Sequence, residues 1–163
     1  MSEIREIESD EYGFLREMLF EALFVSDGED PFSQTILNDP HLRKYVDNFG
    51  KAGDIAFVLI QNDEPVGAIW SRLFTADDPG YGFVDEKTPE FSVAIRKQFR
   101  NNGFGTRLIQ NLLQRLAYED YEKVSLSVDC RSPAKNLYDR LGFGIVAEAG
   151  SSVTMVKHLS VNK

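Results

Sequence analysis

EFSVAIRKQFRNNGFGTRLIQNLLQRLA, residues 90–117, decides the reading of this chain. Residues 90–96 are rich in Phe, Val and Ile, which is strand composition. From the glycines onward, Leu108, Leu112, Leu113, Leu116 and Ala117 keep the helical period. Between the two lies Arg100-Asn101-Asn102-Gly103-Phe104-Gly105. The first N–H groups of a helix have no partner inside it, and the aligned peptide dipoles add partial positive charge at that end. Glycines remove the Cβ atoms that would hold a phosphate away from those donors. Arg100 and Arg107 can add charge there, and Thr106 a hydroxyl. The alternative is a left-handed turn that needs its glycines for backbone geometry alone. The Walker pattern fails, because Gly105-Thr106-Arg107 is not Gly-Lys-Ser/Thr, and the dinucleotide fingerprint fails at Leu108.

Outward from this stretch, the pattern extends in both directions. Lys123 to Val128 (KVSLSV) reads as a strand, so strand, glycine turn, helix and strand form a crossover unit with parallel pairing. Ser132-Pro133 then starts a helix that stops at Leu141-Gly142-Phe143, where Gly142 suits a left-handed C-terminal position. Residues 144–149 and 152–159 close the chain as two strands. On the N-terminal side, residues 3–8 read as a strand. Ser9 or Asp10 can cap a helix that carries Phe14, Leu15, Met18 and Leu19 at helical spacing. A loop with Asp27-Gly28 follows, then a polar helical stretch over 33–49. Residues 55–60 and 66–73 form a hairpin about Asn62-Asp63-Glu64-Pro65. Residues 75–89 read as a long loop. The order β-α-α-β-β-β-α-β-α-β-β predicts one α/β domain over 1–163, with a mixed sheet of six to seven strands and helices on both faces.

Composition limits the function. The 163 residues carry a formal charge of −8, which opposes nucleic acid and anionic membranes as partners and suits a cationic substrate. No apolar run spans a bilayer, and no secretory pattern opens the chain. A single cysteine, Cys130, rules out a disulfide framework and a four-cysteine metal site, so a reducing cytoplasm is the expected address. His41 and His158 stand alone in sequence, and no metal cluster is visible.

Residues 90–95, then Arg100-x-x-Gly103-x-Gly105 and its helix, resemble the acetyl-coenzyme A motif of the GNAT superfamily of N-acetyltransferases. Leu126-Ser127-Val128, followed by Ala134-x-x-Leu137-Tyr138-x-x-x-Gly142-Phe143, resembles the later strand–helix segment of that family. The resemblance covers nearly the whole chain. It implies a partly splayed sheet, with a bulge near Val93 that frees backbone donors for the developing oxyanion and lets Val93 and Ile95 bond the coenzyme's pantetheine arm. It assigns the pyrophosphate to Arg100, Asn101, Gly103, Gly105 and Thr106. Where the family often has Asn at the start of the later helix, this chain has Ser132, which keeps the capping role but reaches less far.

The same resemblance implies acetyl transfer from acetyl-coenzyme A to a primary amine by direct attack in a ternary complex. Tyr138 would be the general acid for the departing thiolate, and Glu90 a general base. Asp85 and Glu86 are further candidates to attract or deprotonate a cationic amine. Trp70, Phe74, Tyr81 and Phe83 fall where the family opens its acceptor cleft. Cys130 reads as a buried, inert thiol rather than a nucleophile. Dimers are common in the family, and edge strands near the C-terminus offer a homodimer surface. A module of the same fold that binds acyl-coenzyme A without turnover is the alternative.

Overall fold

The computed structural model describes residues 2–23, 25 and 28–159; Asp27 of the expected Asp27-Gly28 loop lies outside them. A seven-stranded sheet runs in the order β1 (Ser2–Glu6), β2 (Ile55–Gln61), β3 (Glu64–Arg72), β4 (Glu90–Ile95), β5 (Lys123–Asp129), β7 (Ser152–His158), β6 (Gly144–Ala149). All neighbours pair antiparallel except β4 and β5, which are parallel. Helices α1 (Gly13–Ala22) and α2 (Pro40–Arg43) lie on one face, and α3 (Phe104–Tyr118) and α4 (Ala134–Arg140) on the other.

Strand alternation builds two cores. Phe57, Leu59, Ile69, Phe91, Val124, Leu126 and Met155 meet Leu108, Ile109, Leu112 and Leu116 of α3, with Tyr138 of α4. On the opposite face Ala56, Val58, Ala68, Trp70 and Ala94 meet Phe14, Leu15, Met18 and Leu19 of α1. Buried Arg72 ties the α2 region to the sheet, with Asp54 at 3.0 Å and the Lys44 and Asp47 carbonyls at 2.9 and 2.6 Å.

Three local features differ from the sequence reading. Glu8, not Ser9 or Asp10, caps the first helical region, through a capping box closed by Glu11. The stretch expected as one helix over 33–49 breaks into a 3-10 turn (Gln34–Asn38) and the short α2, because Ser33 and Asp39 each start a new turn by accepting a backbone N–H. The hairpin turn is only Asn62-Asp63, both at positive φ, which places Pro65 inside β3.

Candidate active site

β4 and β5 share one bridged pair, Glu90 with Ser125, closed by the Ser125 N–H on the Pro89 carbonyl at 2.9 Å. Beyond that pair they part. The splay expected from the resemblance is therefore present, but its cause is different. No bulge interrupts β4, which stays in unbroken register with β3 from Glu90 to Ile95; the irregularities fall at Leu59/Ile60 and Ile145/Ala147. The parting comes from the parallel crossover, whose strands are fastened only at their near end.

The ladder decides which backbone groups face the gap. The Arg96 N–H donates to the Val66 carbonyl at 2.8 Å, so in an antiparallel pair residues 94, 92 and 90 also bond toward β3. Val93 and Ile95 then direct their N–H and C=O groups toward β5, into the splay. The Ile95 carbonyl accepts from Arg100 Nε at 2.9 Å.

At the mouth of the splay, α3 begins with Gly103 as its N-cap at φ 77° and no side chain capping it. Asn101 is also left-handed, at φ 65°. The N–H groups of Phe104, Gly105 and Thr106 precede the first intrahelical bond, Arg107 N–H to the Gly103 carbonyl. A Cβ on Gly105 would lie 3.6 Å from Leu137 and 3.8 Å from Ile95, so its bare Cα faces the space between α4 and β4. The two arginines are otherwise engaged. Arg100 binds the Glu21 carbonyl and carboxylate, tying the turn to α1, while Arg107 reaches Ser2 and lies over Phe104. Both guanidinium groups are thus occupied, which leaves the backbone N–H groups of Phe104 to Thr106 as the unpaired donors of the turn among the described residues. Ser132 accepts from the Ala134 N–H at 3.2 Å, but the N-cap position of α4, where Ser132 was expected, is held by Pro133.

Tyr138 and Glu90 lie on opposite faces of the sheet at the apex of the splay. Tyr138 is 8% exposed, packed edge-on against Phe91 and Phe143. Its hydroxyl has no hydrogen-bond partner among the described residues, and burial pushes its pKa up to about 12. Glu90 is 3% exposed. Burial raises its pKa to about 7, while the Tyr45 hydroxyl, the Gly82 N–H and the Lys44 ammonium pull the other way. Tyr45 donates to Glu90 Oε2 at 2.5 Å, and Glu90 Oε1 has no hydrogen-bond partner among the described residues. Ser125 Oγ, on the bridged residue of β5, is likewise buried and unpaired.

The loop after β3 seals this end. A Cβ on Gly80 would sit 2.2 Å from Glu90 Oε1, and one on Gly82 would sit 2.7 Å from the Leu126 backbone. Only glycine lets the loop lie this close. Asp85 binds Thr88, Lys87 and Lys123, which holds its carboxyl below the ordinary range, and Glu86 accepts from the Ala76 N–H. Both acids fasten the loop. Trp70 and Phe74 belong to the core, Phe83 packs against it, and Tyr81 is 58% exposed. Cys130 is exposed rather than buried. A cleft of about 550 Å³ beside α2, lined by Arg43, Lys44, Asp54 and Arg72 among others, contains none of the coenzyme or catalytic candidates. Tyr45, Ser125, Gly80 and Gly82 escaped the sequence reading. Each lies outside the motif that drew attention, and only the Gly80-Tyr81-Gly82 spacing could have signalled a close backbone approach.

A sequence model of the acetyltransferase (GNAT) family matches residues 3–143. No curated protein matches the chain significantly in sequence. Solved structures share its fold at low identity. The ribosomal-protein-S18-alanine N-acetyltransferase of Escherichia coli is 16% identical with a TM-score of 0.69, the match covering 100% of this chain and 97% of that one. A GNAT superfamily phosphinothricin acetyltransferase of Sinorhizobium meliloti, solved with acetyl-coenzyme A, is 15% identical with a TM-score of 0.69, covering 97% and 88%. The PaiA N-acetyltransferase of Thermoplasma acidophilum, solved with coenzyme A, is 14% identical with a TM-score of 0.65, covering 97% and 99%.

Proposed function

The chain belongs to the acetyltransferase (GNAT) family, and from that premise we propose that residues 1–163 act as one domain that transfers the acetyl group of acetyl-coenzyme A to a primary amine, by direct attack in a ternary complex. The observation that carries this reading is the splay between β4 and β5 with the uncapped start of α3 at its mouth. Two independent requirements for the co-substrate meet there. Unpaired N–H groups of Phe104 to Thr106 suit its pyrophosphate. The strand edge at Val93 and Ile95 suits its amide-bearing arm, although the Ile95 carbonyl must share or exchange its bond to Arg100.

Acetyl-coenzyme A supplies an acyl thioester: the N–C bond forms as C–S breaks, one amine proton leaves, and the sulfur gains a proton. The Val93 N–H, lacking a strand partner on the splay side, is the donor for the charge that develops on the acyl oxygen. Glu90, whose pKa near 7 leaves it ionised in part at neutral pH, accepts the amine proton on the α1/α2 face. Tyr138 returns a proton to sulfur from the α3/α4 face, and its unpartnered hydroxyl in an apolar setting supports that role. The two proton-transfer groups are thereby separated by the sheet, the amine approaching from one side and the sulfur leaving on the other.

The net charge of −8 favours a cationic acceptor, small molecule or peptide. Glu90 closed beneath Gly80 favours a second reading, a module that holds the coenzyme without turnover. Tyr138→Phe separates the two. Loss of thiol release from acetyl-coenzyme A with affinity retained supports the enzyme, and unchanged turnover removes the acid role.

A further inference from the structure

We propose that Tyr45 is a positioning residue that holds the Glu90 carboxylate by Oε2 and reserves Oε1 for the proton of the incoming amine. The inference rests on the reading of Glu90 as the base. Its geometry is independent of that reading. Tyr45 follows α2, is buried, and is fixed at three points. Its carbonyl accepts from Trp70 Nε1 at 3.1 Å, its ring packs on Phe74 at 5.0 Å, and its hydroxyl meets both Tyr81 and Glu90.

The direction of the hydroxyl proton follows from its partners. The Tyr81 N–H donates to the Tyr45 oxygen at 2.7 Å, so toward Tyr81 that oxygen is the acceptor. The phenol proton is then left for Glu90 Oε2. Burial and the neighbouring carboxylate push the phenol's pKa up, which favours the protonated, donating form. A proton arriving at Glu90 must therefore settle on Oε1, the oxygen with no partner.

Oε1 is also the oxygen that the loop covers. The Cα of Gly80 presents its bare face to it, and Ser125 Oγ stands unpaired on the adjoining strand. An amine reaching Oε1 would find one carboxylate oxygen and one hydroxyl unsatisfied, a match for two of its N–H groups. The Gly82 N–H favours the ionised carboxylate but makes no hydrogen bond to Oε1, and the charged groups around Glu90 do not compete for that oxygen. Lys44 is spent on Asp78 and the Pro79 carbonyl, and Arg72, opposite Glu90 on β3, on Asp54 and the carbonyls of Lys44 and Asp47.

The test is a ¹³C titration of the glutamate side-chain carboxyls in wild type and Tyr45→Phe, with Glu90 assigned from its disappearance in Glu90→Gln. The Glu90 midpoint is expected near pH 7 in wild type and about one unit higher in Y45F, because a charge-assisted donor to the ionised form is lost. Thiol release from acetyl-coenzyme A, with butylamine as acceptor probe, should show its acidic limb moving by the same amount and its rate recovering at high pH. A purely structural Tyr45 would lower the rate at every pH without moving the limb. An unchanged Glu90 midpoint in a folded Y45F overturns the proposal while leaving the base reading intact. Full activity of E90Q with the wild-type profile overturns the base reading itself. Should Y45F fail to fold, the wild type still decides. A hydroxyl proton downfield of the amides, coupled through space to Tyr45 and shifting with the Glu90 titration, is expected; its absence counts against the bond.

Discussion

Replacing the two glycines of the turn separates the stability of the α3 start from its binding capacity. Gly103 sits at φ 77° with nothing within 4 Å of where a Cβ would stand. Gly103→Ala therefore meets no steric obstacle, only the left-handed backbone penalty of roughly 1–2 kcal/mol. Part of that is offset by about 0.4–1 kcal/mol from the stiffer unfolded chain. The net loss is about 1 kcal/mol, or about 2–4 °C in Tm for a domain of this size. Gly105 behaves in the opposite way. It lies inside the first turn, where a Cβ makes ordinary contacts of 3.6 and 3.8 Å with Leu137 and Ile95. Alanine there should be neutral or slightly stabilising, since glycine costs about 1 kcal/mol in a helix. Valine adds two methyls that reach into the space between Leu137 and Ile95. Stability should stay within about 1 kcal/mol of wild type, while affinity for acetyl-coenzyme A falls at least tenfold, about one charge-assisted bond. Thermal unfolding and isothermal titration of each variant read the two effects apart. Wild-type affinity in Gly105→Val would refute the assignment of the coenzyme to this turn.

Three further outcomes follow from the same geometry. Tyr138→Phe removes a hydroxyl that has no partner, so Tm should change by less than about 2 °C while thiol release falls 10- to 1,000-fold. Glu90 binds its proton more tightly folded than unfolded, with a pKa of about 7 against an ordinary 4.5, so its contribution to stability declines as pH rises from 4.5 to 7. The loss totals roughly 3 kcal/mol, and differential unfolding should show Glu90→Gln gaining on wild type by up to that amount between pH 5 and pH 8. Asp54→Ala strands the buried Arg72 guanidinium and should cost about 3–5 kcal/mol in urea unfolding, with β3 and the α2 region losing amide protection first.

The element order was legible because periodicity and punctuation agree in this chain. Leu108, Leu112 and Leu116 mark α3, Gly142 stops α4, and the apolar, β-branched runs mark the central strands. The glycine turn was legible for a local reason: β4, the glycine pair and α3 lie within 29 consecutive residues, 90–118. What stayed hidden was non-local. Nothing near Tyr45 in sequence announces that it meets Glu90, 45 positions away. Arg100 reads as a phosphate ligand until α1 is seen to offer it the Glu21 carbonyl and carboxylate. The expected bulge at Val93 was an import from the family, whereas the splay here needs only a crossover bridged at one pair. Asp85 and Glu86 looked available for chemistry because a sequence shows charges without the backbone N–H groups that occupy them.

The central claim is that the splay and the start of α3 bind acetyl-coenzyme A. Isothermal titration of the purified protein with acetyl-coenzyme A, with NADH and ATP as controls, tests it most directly. Saturable one-to-one binding of acetyl-coenzyme A is expected, with none of NADH or ATP at the same concentrations. An absence of heat at millimolar acetyl-coenzyme A, or equal binding of all three nucleotides, would contradict it.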